Sequence, residues 1–169
     1  MRLYLVRHAE PTLKGRFIGR TDPPLSDEGR AQASSLSAIA VDHVFVSPLR
    51  RAQETAAFIG ASRTTLGGLA ELHFGDWEGL TWDEIVARDP DLAARKLAHW
   101  FTEPAPRGET LDELLSRVGQ ALGQVKASAH ARVAIVAHAV VNGAIRSLLT
   151  GGDPASYRQQ YVEVVELET

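Results

Sequence analysis

Two histidines in this chain stand in the same sequence setting. Leu3-Tyr4-Leu5-Val6 runs into Arg7-His8, and Ala134-Ile135-Val136 runs into Ala137-His138. Each apolar run has the length and composition of a buried strand. Each histidine then falls just past the C-terminal end of its strand, where open α/β sheets bind ligands. His138 also precedes an apolar stretch that reads as a helix, and a helix N-terminus favours anions. An imidazole that attacks phosphorus must be neutral, and a neighbouring cation such as Arg7 disfavours its protonated form. The same cation would cradle phosphoryl oxygens. Taken singly, a histidine after a strand is more often structural. Two of them, 130 residues apart, meet only if their strands are neighbours in one sheet.

Charge points the same way. The chain carries a net charge of −3, yet residues 1–20 hold Arg2, Arg7, Lys14, Arg16 and Arg20 against Glu10 alone. That balance of +4 leaves −7 for the remainder. An acidic chain with one basic segment does not read as a nucleic-acid binder, and locally concentrated positive charge suits a small anion. There is no cysteine. Disulfides, thiolate metal sites and a cysteine nucleophile are therefore excluded. No apolar stretch approaches the roughly 20 residues that span a bilayer, and the N-terminal run is too short for a signal peptide. A cytoplasmic protein without membrane contact is expected.

The elements that must position these residues follow from the pattern. A length of 169 residues suggests a single domain. Strands are expected at 3–6, 41–46, 64–66, 132–136 and 161–167. Helices are expected from the Ser26 cap to about Ala38, from a Ser47 cap to about Ile59, from Glu109 to Ala129, and from Ala139 to Leu149. A broken helical stretch covers 81–101, interrupted at Pro90. Residues 9–27, 67–80 and 102–108 are Gly- and Pro-rich loops. Leu111, Leu114, Leu115, Val118, Leu122 and Val125 give the 109–129 helix one apolar face. Alternating strands and helices imply an α/β fold: a three-layer sandwich with a mostly parallel central sheet flanked by helices.

With the elements in place, the motifs resemble those of the histidine phosphatase superfamily, the phosphoglycerate mutase-like family. Leu5-Val6-Arg7-His8-Ala9-Glu10 is similar to its signature. Thr21-Asp22-Pro23-Pro24-Leu25-Ser26, with Gly29 and Gln32-Ala33, resembles the substrate-side loop and its helix. Ser47-Pro48-Leu49-Arg50-Arg51-Ala52-Gln53-Glu54-Thr55-Ala56 resembles the second motif. Leu69-Ala70-Glu71-Leu72-His73-Phe74-Gly75-Asp76-Trp77-Glu78-Gly79 resembles the segment carrying the acid, and Val136-Ala137-His138 the last motif. The matches run in order from residue 3 to about 150.

The resemblance implies a fold and roles. The fold would be phosphoglycerate mutase-like, with 76–109 as a lid insertion. His8 would be the nucleophile. Arg7 and Arg51 would bind the phosphoryl group, with His138 completing the pocket. Glu71 would protonate the leaving oxygen and later help activate water, which needs a raised pKa. Leu69, Leu72 and Phe74 could supply the apolar surroundings. No metal and no cofactor would be needed. The partner would be a small phosphorylated metabolite, and a homodimer is compatible with the family. Glycine usually follows both histidines in this family; here Ala9 and Ala139 do. An asparagine is common six residues after the nucleophile; here Lys14 stands there, with Arg16 or Arg20 able to share phosphate contact.

Three functions are consistent with the pattern: a phosphomonoesterase, a phosphoglycerate mutase, and a phospho-ligand binding module without catalysis. The short chain favours the first. Its overall pattern looks most like the small α-ribazole phosphatase-type members. Arg50 and His43, His99 and His130 are expected to be non-catalytic. His73 lies near the acid and is open to either reading.

Overall fold

A computed structural model describes residues 1–169. Five strands form one sheet: β1 (Arg2–Arg7), β2 (His43–Val46), β3 (Arg63–Thr65), β4 (Arg132–Ala137) and β5 (Val164–Glu168), in the order β3-β2-β4-β1-β5. All neighbours are parallel except β5, which runs antiparallel to β1. The mostly parallel α/β sandwich expected from the sequence is the observed fold. β1 and β4 sit inside the sheet, and Leu3, Leu5, Val133 and Ile135 are buried on one face. Val6, Ala134 and Val136 are buried on the other. That double burial explains why these strands read as unbroken apolar runs rather than as alternating ones.

The helices are α1 (Asp27–Ala33), α2 (Arg50–Ala56), α3 (Trp82–Arg88), α4 (Pro90–Ala98), α5 (Leu111–Lys126) and α6 (Ala139–Thr150). Ser26 caps α1 by accepting from Gly29 N–H, as its position suggested. Thr110 and Glu113 form a capping box at the start of α5. Leu114, Val118, Leu122 and Val125 are its buried stripe. Pro90 splits the 81–101 stretch into α3 and α4, with Asp89 ending one helix and capping the next. No helix is long and apolar enough to cross a membrane.

Two local expectations need correction. Ser47 is not the cap of α2. The helix starts after Leu49, and the Asp22 carboxylate accepts from Arg50 N–H at 2.8 and 2.9 Å. Ser47 is fully buried and turned elsewhere. The last strand starts at Val164, not Tyr161. Val162 has φ +53, and a β-branched residue in the left-handed region cannot extend a strand. That turn is held by Val162 N–H donating to Arg7 O at 3.1 Å and by Arg7 N–H donating to Glu163 O at 3.3 Å.

Candidate active site

Register decides the site. Arg7 pairs with Ala137 across β1 and β4. The residue after each therefore leaves the sheet at the same level and on the same edge. His8 N–H donates to Ala137 O at 2.9 Å, and the ring centroids of His8 and His138 lie 5.0 Å apart. His138 is also the N-terminal cap residue of α6.

The hydrogen bonds assign the two rings. His8 Nδ1 lies 2.7 Å from its neighbour's carbonyl, Ala9 O. Nδ1 must then carry the proton, which leaves the Nε2 lone pair without a protein partner. Burial, foremost, and the nearby Arg51 lower the His8 pKa to about 3, against a raising effect of the Ala9 bond. The ring is neutral at ordinary pH. His138 is wholly buried, and its Nε2 lies 2.7 Å from Ser47 Oγ. Ser47 Oγ already accepts from Leu49 N–H at 3.3 Å, so its hydroxyl is assigned as the donor to Nε2; in that tautomer the His138 proton sits on Nδ1, which finds no acceptor. Burial, then the His8 ring and Arg51, hold His138 well below the usual imidazole pKa.

Arg51 projects from α2 and is 0% exposed. A buried guanidinium is costly unless its donors are met. Its terminal nitrogens donate to Thr21 O, Ile18 O and Gly19 O at 2.9 to 3.0 Å. Asp22 stands 3.6 Å away. Arg7 donates to Gln159 O at 2.7 Å and lays its guanidinium 4.2 Å from the Tyr161 ring centroid. In both arginines Nε is buried and unpaired. Arg7 Nε, Arg51 Nε and His138 Nδ1 are thus three orphaned donors flanking a neutral imidazole. Buried donors are rarely left unmet, and a tetrahedral oxyanion is the kind of acceptor that would meet several at once.

Glu71 is buried, and burial raises its carboxyl pKa. Bonds from Leu72 N–H and Val140 N–H and the charge of Arg51 oppose that shift without cancelling it. Leu72 N–H donates to Oε1 at 2.9 Å, and Val140 N–H approaches Oε2 at 3.5 Å. The carboxyl therefore faces the start of α6. A cavity of about 240 Å³ opens here, lined among others by Arg7, His8, Lys14, Phe17, Glu71 and Tyr161.

The structure thus brings together His8, His138, Arg7, Arg51 and Glu71. Lys14 reaches the cavity, but its ammonium pairs with Glu10 at 2.7 Å. Arg16 also lines it while donating to Gly79 O and Glu84. Arg20 is not brought there. Its backbone N–H is held by Glu78 at 2.8 Å, and its side chain borders a separate cleft with His73 and Arg107. The reason is that Glu78 grips the loop through Gly19, Arg20 and Thr21 N–H, which turns the Arg20 side chain away. His73 therefore sits outside the cavity as well. Neither Ala9 nor Ala139 has a positive φ, so alanine fits where the family uses glycine.

Sequence reasoning missed the residues that hold the site in place. Ser47 orients His138. Thr55 Oγ1 accepts from Ala9 N–H at 2.9 Å and donates to Arg51 O at 2.7 Å, locking α2 to the His8 loop. Arg117 on α5 donates to Gly68 O, Ala70 O and Glu71 O, fixing the acid's backbone. Gln159 donates to Leu5 O and Glu163 O and supports the turn that presents Tyr161. Tyr161 faces His8 with ring centroids 5.7 Å apart. No local pattern assigned these roles, because each side chain acts on a partner distant in sequence.

The chain and its fold match known proteins. The model of the histidine phosphatase superfamily (branch 1) covers residues 3–169. The chain belongs to this superfamily, and phosphatase chemistry is its class of activity. It is 31% identical to phosphoserine phosphatase 1 of Hydrogenobacter thermophilus over 93% of this chain and 80% of that protein. The α-ribazole phosphatase of Shigella flexneri superposes with a TM-score of 0.89 at 25% identity, covering 99% of this chain and 90% of that one. A Thermus thermophilus structure described as phosphoglycerate mutase gives a TM-score of 0.80 at 34% identity, over 99% and 93% of the two chains. The chain spans 46% of a longer relative, a bifunctional protein of Mycobacterium tuberculosis.

Proposed function

We propose that the chain hydrolyses a small phosphomonoester through a phosphohistidine on His8, without a metal ion. The observation that carries this is the trio of unpaired buried donors, Arg7 Nε, Arg51 Nε and His138 Nδ1, beside an imidazole whose Nε2 is free. The phosphoryl oxygens accept from those donors. The His8 Nε2 lone pair attacks phosphorus, and the P–O bond to the alcohol breaks on the opposite side. Glu71 gives its proton to the leaving oxygen. The positive charge that develops on the ring is met by Ala9 O at Nδ1. In the second half, the Glu71 carboxylate takes a proton from water. The resulting P–O bond replaces P–N, and inorganic phosphate leaves with His8 neutral again. Fixed cations and donors supply the stabilisation of developing charge. A cavity of about 240 Å³ falls below the roughly 300–1,000 Å³ typical of ligand pockets, which suits a phosphoryl group and little more.

The test is phosphate release from p-nitrophenyl phosphate in excess EDTA, with acid-labile phosphate trapped on the protein during turnover. Both signals should vanish in His8→Ala. Release without label on His8, or loss of release in EDTA, would overturn the mechanism. Interconversion of phosphoglycerates faster than phosphate release would move the chain to the mutases.

A further inference from the structure

A second cavity of about 510 Å³ shares the Arg7 wall with the catalytic one. Its lining includes Val140, Leu97, Trp100, Phe101 and Arg158. Nothing in the reaction proposed above uses this cleft. Val140 connects the two, because its N–H approaches Glu71 Oε2 at 3.5 Å while its side chain lines the cleft. The alcohol oxygen must sit beside Glu71 to receive its proton. Whatever that oxygen carries therefore emerges next to Val140.

The chemistry of the walls selects the occupant. The aromatic side is held in place from behind. Lys96 on α4 is buried, donates to Glu103 O at 2.7 Å, and sits 5.2 Å from the Trp100 ring centroid. Trp100 in turn lies 6.1 Å from both Phe17 and Trp82. Leu97 is 65% exposed, so its side chain is open to a ligand in the cleft. No aspartate or glutamate lines the cleft, and Arg158 there has no ion-pair partner. The one acid lining the catalytic cavity is Glu71, and burial raises its carboxyl pKa while two backbone N–H groups occupy its oxygens. A substrate ammonium group would thus lose its water and find no unoccupied carboxylate. A flat apolar ring would bury against Trp100, Phe101 and Leu97.

Resting on the hydrolytic reading, we propose that this cleft is the leaving-group subsite. It takes phosphomonoesters whose alcohol carries a planar apolar ring and no positive charge. The test compares three alkyl esters, so that leaving-group acidity does not mask binding: 2-(1-naphthyl)ethyl phosphate, ethyl phosphate and O-phosphoethanolamine. For the native chain, kcat/KM should be at least about tenfold higher for the naphthyl ester than for ethyl phosphate, equivalent to about 1.4 kcal/mol. It should be lowest for phosphoethanolamine. Phe101→Ala and Leu97→Ala should erase the naphthyl advantage, mostly through KM, and leave ethyl phosphate unchanged. Leu97 is exposed, so that variant does not threaten folding. Equal rates for the three esters, or variants that lose all three alike, would overturn the assignment. If no ester is turned over, the hydrolytic reading fails by itself. The subsite is then judged by calorimetric binding of 2-(1-naphthyl)ethylphosphonate. Binding that Phe101→Ala abolishes upholds it, and absence of binding overturns it.

Discussion

The chain holds two close pairs of histidines at opposite ends of one sheet. At the C-terminal ends of β1 and β4, His8 and His138 stand 5.0 Å apart with their planes tilted by 59°. At the N-terminal ends of β2 and β4, His43 and His130 stack at 4.6 Å with an interplanar angle of 1°. Proximity is similar, and what surrounds the rings is not. His43 has both nitrogens engaged, by Ser62 Oγ and Thr64 Oγ1 at 2.8 Å each. No arginine donor is left open beside it. In the first pair each ring keeps one nitrogen uncommitted, and buried Arg51 and half-buried Arg7 each have an unpaired Nε nearby. A histidine becomes reactive when the fold satisfies one nitrogen and withholds a partner from the other. His43, expected to be non-catalytic, has both ring nitrogens held by hydroxyls and none open to a ligand.

Substitutions can break this contrast, the largest effect coming first. His8→Ala should lower kcat at least about 10⁴-fold, as loss of a nucleophile does, while His43→Ala should leave kcat within about twofold. Steady-state kinetics on one substrate checks both. Glu71→Gln should lower kcat by about 10²–10⁴-fold and also remove the basic limb of the pH profile. The sign follows from the raised carboxyl pKa of Glu71. The acid form is present below that pKa and lost above it, so kcat/KM falls as pH rises through it. On the acid side, His8 stays neutral down to about pH 3, and activity should persist well below pH 6.

Ser47→Ala sharpens the contrast more finely. It removes the bond that orients His138 and should lower kcat about tenfold, in line with a lost buried hydrogen bond. His43→Ala should act on stability alone. It should cost about 1 kcal/mol, read as a lower Tm. Burial and then His130 depress the His43 pKa in the folded state. Its neutral ring therefore stabilises the fold fully above the unfolded value of about 6.5 and less as pH falls through it. His8 and His138, also depressed, act in the same direction. The native Tm should thus drop on acidification, and less steeply in His43→Ala. A Tm independent of pH between about 7 and 5 would sink this account.

Much of this was legible before any coordinates. Both histidines, Arg7, Arg51 and Glu71 stand in short motifs whose local setting announces them. Arg20 was misjudged from its charge and its place in the basic segment. Three backbone bonds from its own loop to Glu78, 57 to 59 residues away, set its direction. Ser47 looked like a helix cap because it precedes proline and an apolar helix. Its hydroxyl serves a histidine 91 residues away. Tyr161 looked like the start of a strand until the positive φ of Val162 turned it toward His8.

By itself, the sequence determined the strands, the parallel architecture and the identity of the reactive groups. Those depend on hydrophobic period and on residue type, both of which are local. The tertiary structure decided which nitrogen of each histidine lacks a partner, which arginine lines the cavity and which borders another cleft, and that burial raises the pKa of the acid. Each of these depends on a hydrogen bond or a burial supplied by chain far away in sequence, and no local pattern records such a partner.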